Sequence, residues 1–91
     1  MPVVATFFGI VIRMYYREHE PRHCHAEYQA QSGKFDFDGV QTVGSITSPN
    51  ALQLIRRWAA LNRAALNRAA LDANWSKIKA SEPLNRIPPL E

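Results

Sequence analysis

Apolar and polar positions change period twice along this chain. Val3 to Tyr16 is dense in Val, Ile, Phe and Tyr, the types that suit strands, and Gly9 interrupts it. Two short strands meeting at Gly9, or one strand bulged there, both fit. Arg17 to Arg22 is polar, and Pro21 keeps it out of a strand interior. His23 to Ala30 reads as a further strand. "QSGK" reads as a turn around Gly33. "KFDFDG" alternates, with Phe35 and Phe37 on one face and Lys34, Asp36 and Asp38 on the other. These two runs make a hairpin, and "VQTVGSI" adds one more short strand.

From "TSPNALQLIRRW" onward the period becomes helical. Ser48 is an N-cap and Pro49 a first helical residue. Leu54, Trp58, Leu61 and Ala65 form an apolar stripe, and the pattern runs to about Lys79. The pentad Leu-Asn-Arg-Ala-Ala occurs twice between Leu61 and Ala70. Five residues turn an α-helix by about 140° beyond a full turn, so Leu71, Trp75 and Ile78 form a second stripe on a different face. A continuous helix of ~30 residues would be ~45 Å long. Either it breaks or bends near Asn67, or its far end projects and buries the second stripe on another copy of the chain. Pro83, Pro88 and Pro89 then impose an extended tail that packs through Leu84, Ile87 and Leu90.

The expected architecture is α+β in a single domain. Residues 1–47 form an antiparallel sheet of three to five strands. Residues 48–79 form one long helix whose Leu54, Trp58 and Leu61 stripe covers Phe35 and Phe37. Residues 80–91 are tail.

Composition narrows the setting. With 91 residues the chain buries a modest share of its surface, which makes pairing with another chain a natural source of stability. One cysteine allows no internal disulfide and suits a reducing compartment. "VVATFFGIVI" is about half the length of a membrane span, and no basic segment precedes it as in a secretory signal. The expectation is a cytoplasmic protein without membrane contact. Net charge is +3 but uneven: residues 1–50 carry −1, residues 51–79 carry +5 and the remainder −1. A basic helix of this kind attracts an acidic protein, nucleic acid or anionic lipid, or is simply a solvated face. Arg56 and Arg63, seven apart, share the side opposite the Leu54 stripe. Together with Arg17 and Arg22 they are candidate phosphate or RNA contacts. No zinc finger, P-loop, dinucleotide fingerprint or helix-turn-helix is present.

Candidate chemistry gathers in "REHEPRHCHAEY", Arg17 to Tyr28, which holds all three histidines and the cysteine. On a strand His23, His25 and Glu27 point one way, while Cys24, Ala26 and Tyr28 point the other. Cys24 then reads as a small core residue. His19, on the preceding turn, can fold back toward His23, and Asp36 or Asp38 can reach the same face from the neighbouring strand. Three readings stay open. His23, His25 and Glu27 could hold a divalent transition metal, with no cofactor as the simpler expectation. His23 and His25, with His19 as a weaker third, could act as general acid and base on RNA. Or the imidazoles are structural, bonding the turn around Pro21.

Taken together, "MPVVATFFGIVIRMYYREHEPRHCHAEY", "FDFDG" and "LIRRWAALNRAAL" followed by "NW" resemble the domain-of-unknown-function family 4160. The densest match is "MYYREHEPRHCHAEY", where the family shows H-x-P-P-H-x-H. His19, Pro21, His23 and His25 match that pattern, Arg22 replaces its second proline, and the doubled pentad is extra. The resemblance implies a small bacterial α+β protein in a two-gene cassette of toxin–antitoxin type, whose partner is a small neighbouring-gene product of family 2442. Such a component would act through that partner and through RNA. A histidine-centred ribonuclease or metal-dependent hydrolase is the alternative, and a structural adaptor dimer formed through the C-terminal helix is another.

Overall fold

Phe8 and Gly9 both adopt positive φ, 48° and 79°, the geometry of a tight type I′ turn. There β1 (Val3–Phe7) reverses into β2 (Ile10–Arg13), with Phe7 opposite Ile10. The computed structural model describes residues 3–15, 22–61, 68–80, 83–84, 86–87 and 89–90. In it β3 (Cys24–Tyr28), β4 (Gln31–Phe35) and β5 (Gln41–Gly44) complete a five-stranded sheet in the order β1-β2-β3-β4-β5, every neighbouring pair antiparallel.

The β3–β4 turn is not at "QSGK". It lies at Gln29 and Ala30, with Gln29 at φ 54°, and Tyr28 pairs with Gln31. Gly33 instead sits inside β4 opposite Gly44, where a Cβ would strike the Gln41 side chain. That space lets the Gln41 amide reach along the sheet. It donates to the Ile46 carbonyl at 3.0 Å and accepts from the Ile46 amide at 3.1 Å. Gln31 holds Thr47 in the same manner, by its amide nitrogen and its hydroxyl, both at 3.1 Å. Two glutamine side chains thus supply the partners that residues 46 and 47 need once β5 has ended.

Ser48 caps α1 (Pro49–Leu61), its Oγ accepting from the Ala51 amide at 3.2 Å. The helical half differs from expectation. The described residues hold two helices, α1 and α2 (Arg68–Lys79), rather than one long helix over 48–79. The cause is the change of face across the doubled pentad. Trp58 on α1 and Trp75 and Ile78 on α2 are all buried in one core, and one straight helix cannot turn both faces to the same sheet. A rod of ~45 Å would also exceed the 34 Å longest extent of the molecule. Most of the pentad, with Arg63 and Ala65, lies outside the described residues. The buried face of α1 is Ala51, Ile55, Trp58 and Ala59; Leu54 is half-buried and Leu61 is exposed. The stripe therefore sits one position away from the expected Leu54–Trp58–Leu61 line.

The inner face of the sheet carries Ala5, Phe7, Ile10, Ile12, Cys24, Ala26 and Phe35, all buried. A register shift between Val3 and Ala5 puts Val4 inward as well. Trp58 stacks on Phe7, whereas Phe37, beyond the end of β4, meets Trp75 edge to face. Phe37 thus meets α2 rather than the α1 stripe expected to cover it. The tail behaves as expected. Ile87 and Leu90 are buried and Leu84 packs on the core. The Ile87 amide donates to the Val4 carbonyl at 2.7 Å, which covers part of the β1 edge. No helix among the described residues is long and apolar enough to cross a membrane.

Candidate functional site

Antiparallel register assembles the site. On the face turned away from the core, Arg13 of β2, His25 of β3, Lys34 of β4 and Val43 of β5 lie directly opposite one another in one row across four strands. The next row holds Val11, Glu27 and Ser32. Arg13 Nε donates to Glu27 Oε2 at 2.8 Å, a diagonal pair between the two rows. Side chains opposite each other on such a sheet stand about 5 Å apart, so His25 lies between two cations.

The expected alternation holds from Cys24 to Glu27, whereas His23, expected on the outer face, is buried. Cys24 and Ala26 are buried inward, while His25 and Glu27 are half-buried on the outer face. Burial pushes the Cys24 thiol up to about 12, with the nearby Asp36 carboxylate adding to the effect. It is therefore a protonated core group and no nucleophile at neutral pH.

His23 and His25 are brought together, their ring centroids 5.2 Å apart. Their surroundings differ. His23 is buried, at 8% exposure, with Trp75 tilted against it at 5.6 Å. His25 meets the edge of Tyr15 at 4.6 Å. The result is a run of rings, Tyr15–His25–His23–Trp75–Phe37, that climbs from the outer face around the end of the β3–β4 pair into the core. Lys79 closes it, its Nζ 5.4 Å from the centre of the Trp75 ring.

The other sequence candidates disperse. His19 and Arg17 lie outside the described residues, as does Arg63. Arg22 is exposed just before β3, and Arg56 is exposed on α1. Neither Asp36 nor Asp38 stands opposite His25; that place is taken by Lys34. Asp36 Oδ1 instead accepts from the amides of Asp38 (2.9 Å) and Val40 (3.0 Å), closing the loop before β5. Glu27, the carboxylate of the candidate metal set, is bonded to Arg13, and no three His, Cys, Asp or Glu side chains converge among the described residues. Sequence reasoning missed Arg13, Lys34, Tyr15 and Trp75 as neighbours of the imidazoles. Their outward parity was readable for Arg13 and Lys34, but the register that aligns them was not.

A second feature lies at the opposite edge of the sheet from the tail. Gly39, Val40, Gln41, Leu52 and Arg56 line an open cleft of about 320 Å³ between the start of β5 and α1. Gly39 sets its floor. It has φ 82°, and a Cβ there would come within 2.8 Å of Arg56 Cα and 2.9 Å of Ala59 Cβ.

Residues 9–76 match the family model described as Domain of unknown function (DUF4160). No curated protein and no solved structure gives a significant match.

Proposed function

We propose that this chain, which belongs to the domain-of-unknown-function family 4160, is the binding component of a small two-protein regulatory module of toxin–antitoxin type, acting through a cognate protein from a neighbouring gene. The observation that carries a protein partner is the unequal treatment of the two sheet edges. Ile87 bonds the β1 edge, while β5 has no strand beyond it among the described residues and leaves Val40 and Val43 exposed at 45% and 64%. Binding is favoured over histidine-centred hydrolysis by the state of the imidazole pair: His23 is packed against Trp75, and Glu27, the nearest outward carboxylate on β3, is bonded to Arg13. Co-expression with the product of the adjacent gene and affinity capture of the complex tests the reading. Absence of a complex at micromolar concentration overturns it.

RNA contact is supported by a separate observation, the Arg13–His25–Lys34 row beside Tyr15 on the sheet face turned away from the core. Its signature is salt-dependent RNA retention that Lys34→Glu reduces. Cleavage of that RNA, abolished by the double substitution H23A/H25A, would instead favour the ribonuclease alternative.

A further inference from the structure

The strand β5 is short and its register shifts against β4, but it lacks the two chemical devices that keep a sheet edge solitary. Its sequence Gln-Thr-Val-Gly holds no charge and no proline. Val43 on it and Val40 before it are exposed. Beside it lies the cleft lined by Gly39, Val40, Gln41, Leu52 and Arg56, in which the only charged group is the Arg56 guanidinium. Acidic residues are missing from the whole stretch between Asp38 and Asp72, which includes both β5 and α1, while Arg56 and Arg57 are exposed on α1. This edge therefore offers a strand with none beyond it among the described residues, an apolar side chain on the outer face, and a cation on the inner side.

We infer that β5 receives an extended segment of the partner protein as a sixth strand, a segment in which apolar residues alternate with Asp or Glu. Alternation follows from the strand period of two. Residues beside Val43 lie on the outer face and are apolar. Those between them point toward the cleft, where a carboxylate meets Arg56. Backbone hydrogen bonds supply much of the affinity and the alternating side chains the choice of segment. Charge argues against a second copy of this chain as occupant. Two β5 edges placed together would bring two acid-free surfaces, each with Arg56 and Arg57, into proximity. The inference deepens the reading of a protein-binding component and rests on it.

Two probes test it on the full chain: the adjacent gene's product, and a blocked peptide of alternating Glu and Val compared with its Lys and Val counterpart. The acidic peptide should shift the backbone amide resonances of Gln41–Gly44, and the basic peptide should not. Arg56→Glu and Val43→Asp should each weaken binding of both the acidic peptide and the gene product at least tenfold. Arg86→Glu, the same charge change near the β1 edge, should leave binding within twofold. Circular dichroism confirms that each variant is folded. If the gene product binds the parent and both edge variants equally, the module reading stands and this inference falls. If the acidic peptide docks on β5 but the gene product does not bind, the module reading falls and the surface assignment stands. Equal binding of the two peptides overturns the inference. So does a parent dimer that Val43→Asp converts to monomer, since the occupant would then be a second copy.

Discussion

The indole of Trp58 lies on the ring of Phe7 with centroids 5.6 Å apart and planes 25° from parallel. This contact joins α1 to the first strand, and both residues are buried. Replacing Trp58 with Ala removes the largest fully buried side chain and should cost about 3–5 kcal/mol. Urea denaturation checks this; an unchanged midpoint would refute the placement.

The two imidazoles should separate in their effect on stability. His23→Ala removes a buried ring from between Trp75 and His25 and should destabilise by about 1–3 kcal/mol. His25→Ala acts at a half-buried position on the face turned away from the core and should cost less than about 1 kcal/mol. Equal melting temperatures for the two variants would contradict the asymmetry.

Cys24 predicts a specific alkaline behaviour. Its thiol titrates at about 12 in the folded chain against an ordinary 9.0. The folded state therefore holds a proton that the unfolded state gives up. The associated stability is present in full below pH 9.0 and declines as pH rises from there toward 12. Cys24→Ala should flatten the alkaline decline relative to the parent, measured as the difference between their unfolding free energies across that window. At pH 8 the native thiol should resist a disulfide reagent that labels it at once in denaturant.

Gly39→Ala should destabilise by about 2 kcal/mol or more. The new methyl group meets the backbone of Arg56 and the side chain of Ala59, and the residue is held at a φ of 82°. Because Gly39 also shapes the cleft beside β5, the loss should appear in thermal melting as well as in any binding measured there.

Much of the local structure was legible. The Gly9 turn, the Ser48–Pro49 start of α1, the inward thiol of Cys24 and the packing of Ile87 and Leu90 all follow from residue type and period. Gly33 misled because a glycine marks either a turn or a close approach. Here it is the latter, made necessary by Gln41 lying over it. The actual turn, Gln29–Ala30, contains no glycine. Leu61 misled because its hydrophobicity matched a helical stripe that the core takes one position over, at Ile55 and Ala59. The single long helix failed for a tertiary reason. The doubled pentad and the ~45 Å length of an unbroken rod already pointed to an interruption near Asn67, but the choice between that and a projecting helix depended on the 34 Å extent of the folded molecule.

The site was half legible. Period two placed His23, His25 and Glu27 outward, but partners across strands depend on register. The register that sets Lys34 opposite His25 follows from the tight Gln29–Ala30 turn, which has no glycine to mark it in the sequence. Lys34 therefore took the place expected for a carboxylate, and the neighbourhood of His25 is more cationic than the segment alone suggests.

The bond from Ile87 to Val4 joins two residues that lie far apart along the chain. During synthesis the first hairpin leaves the ribosome long before that amide exists, so one margin of the nascent sheet remains available to other strands in the meantime. Final closure of the barrier against misassembly is thus a late event, and cells must bring the growing chain through that interval with β1 unprotected.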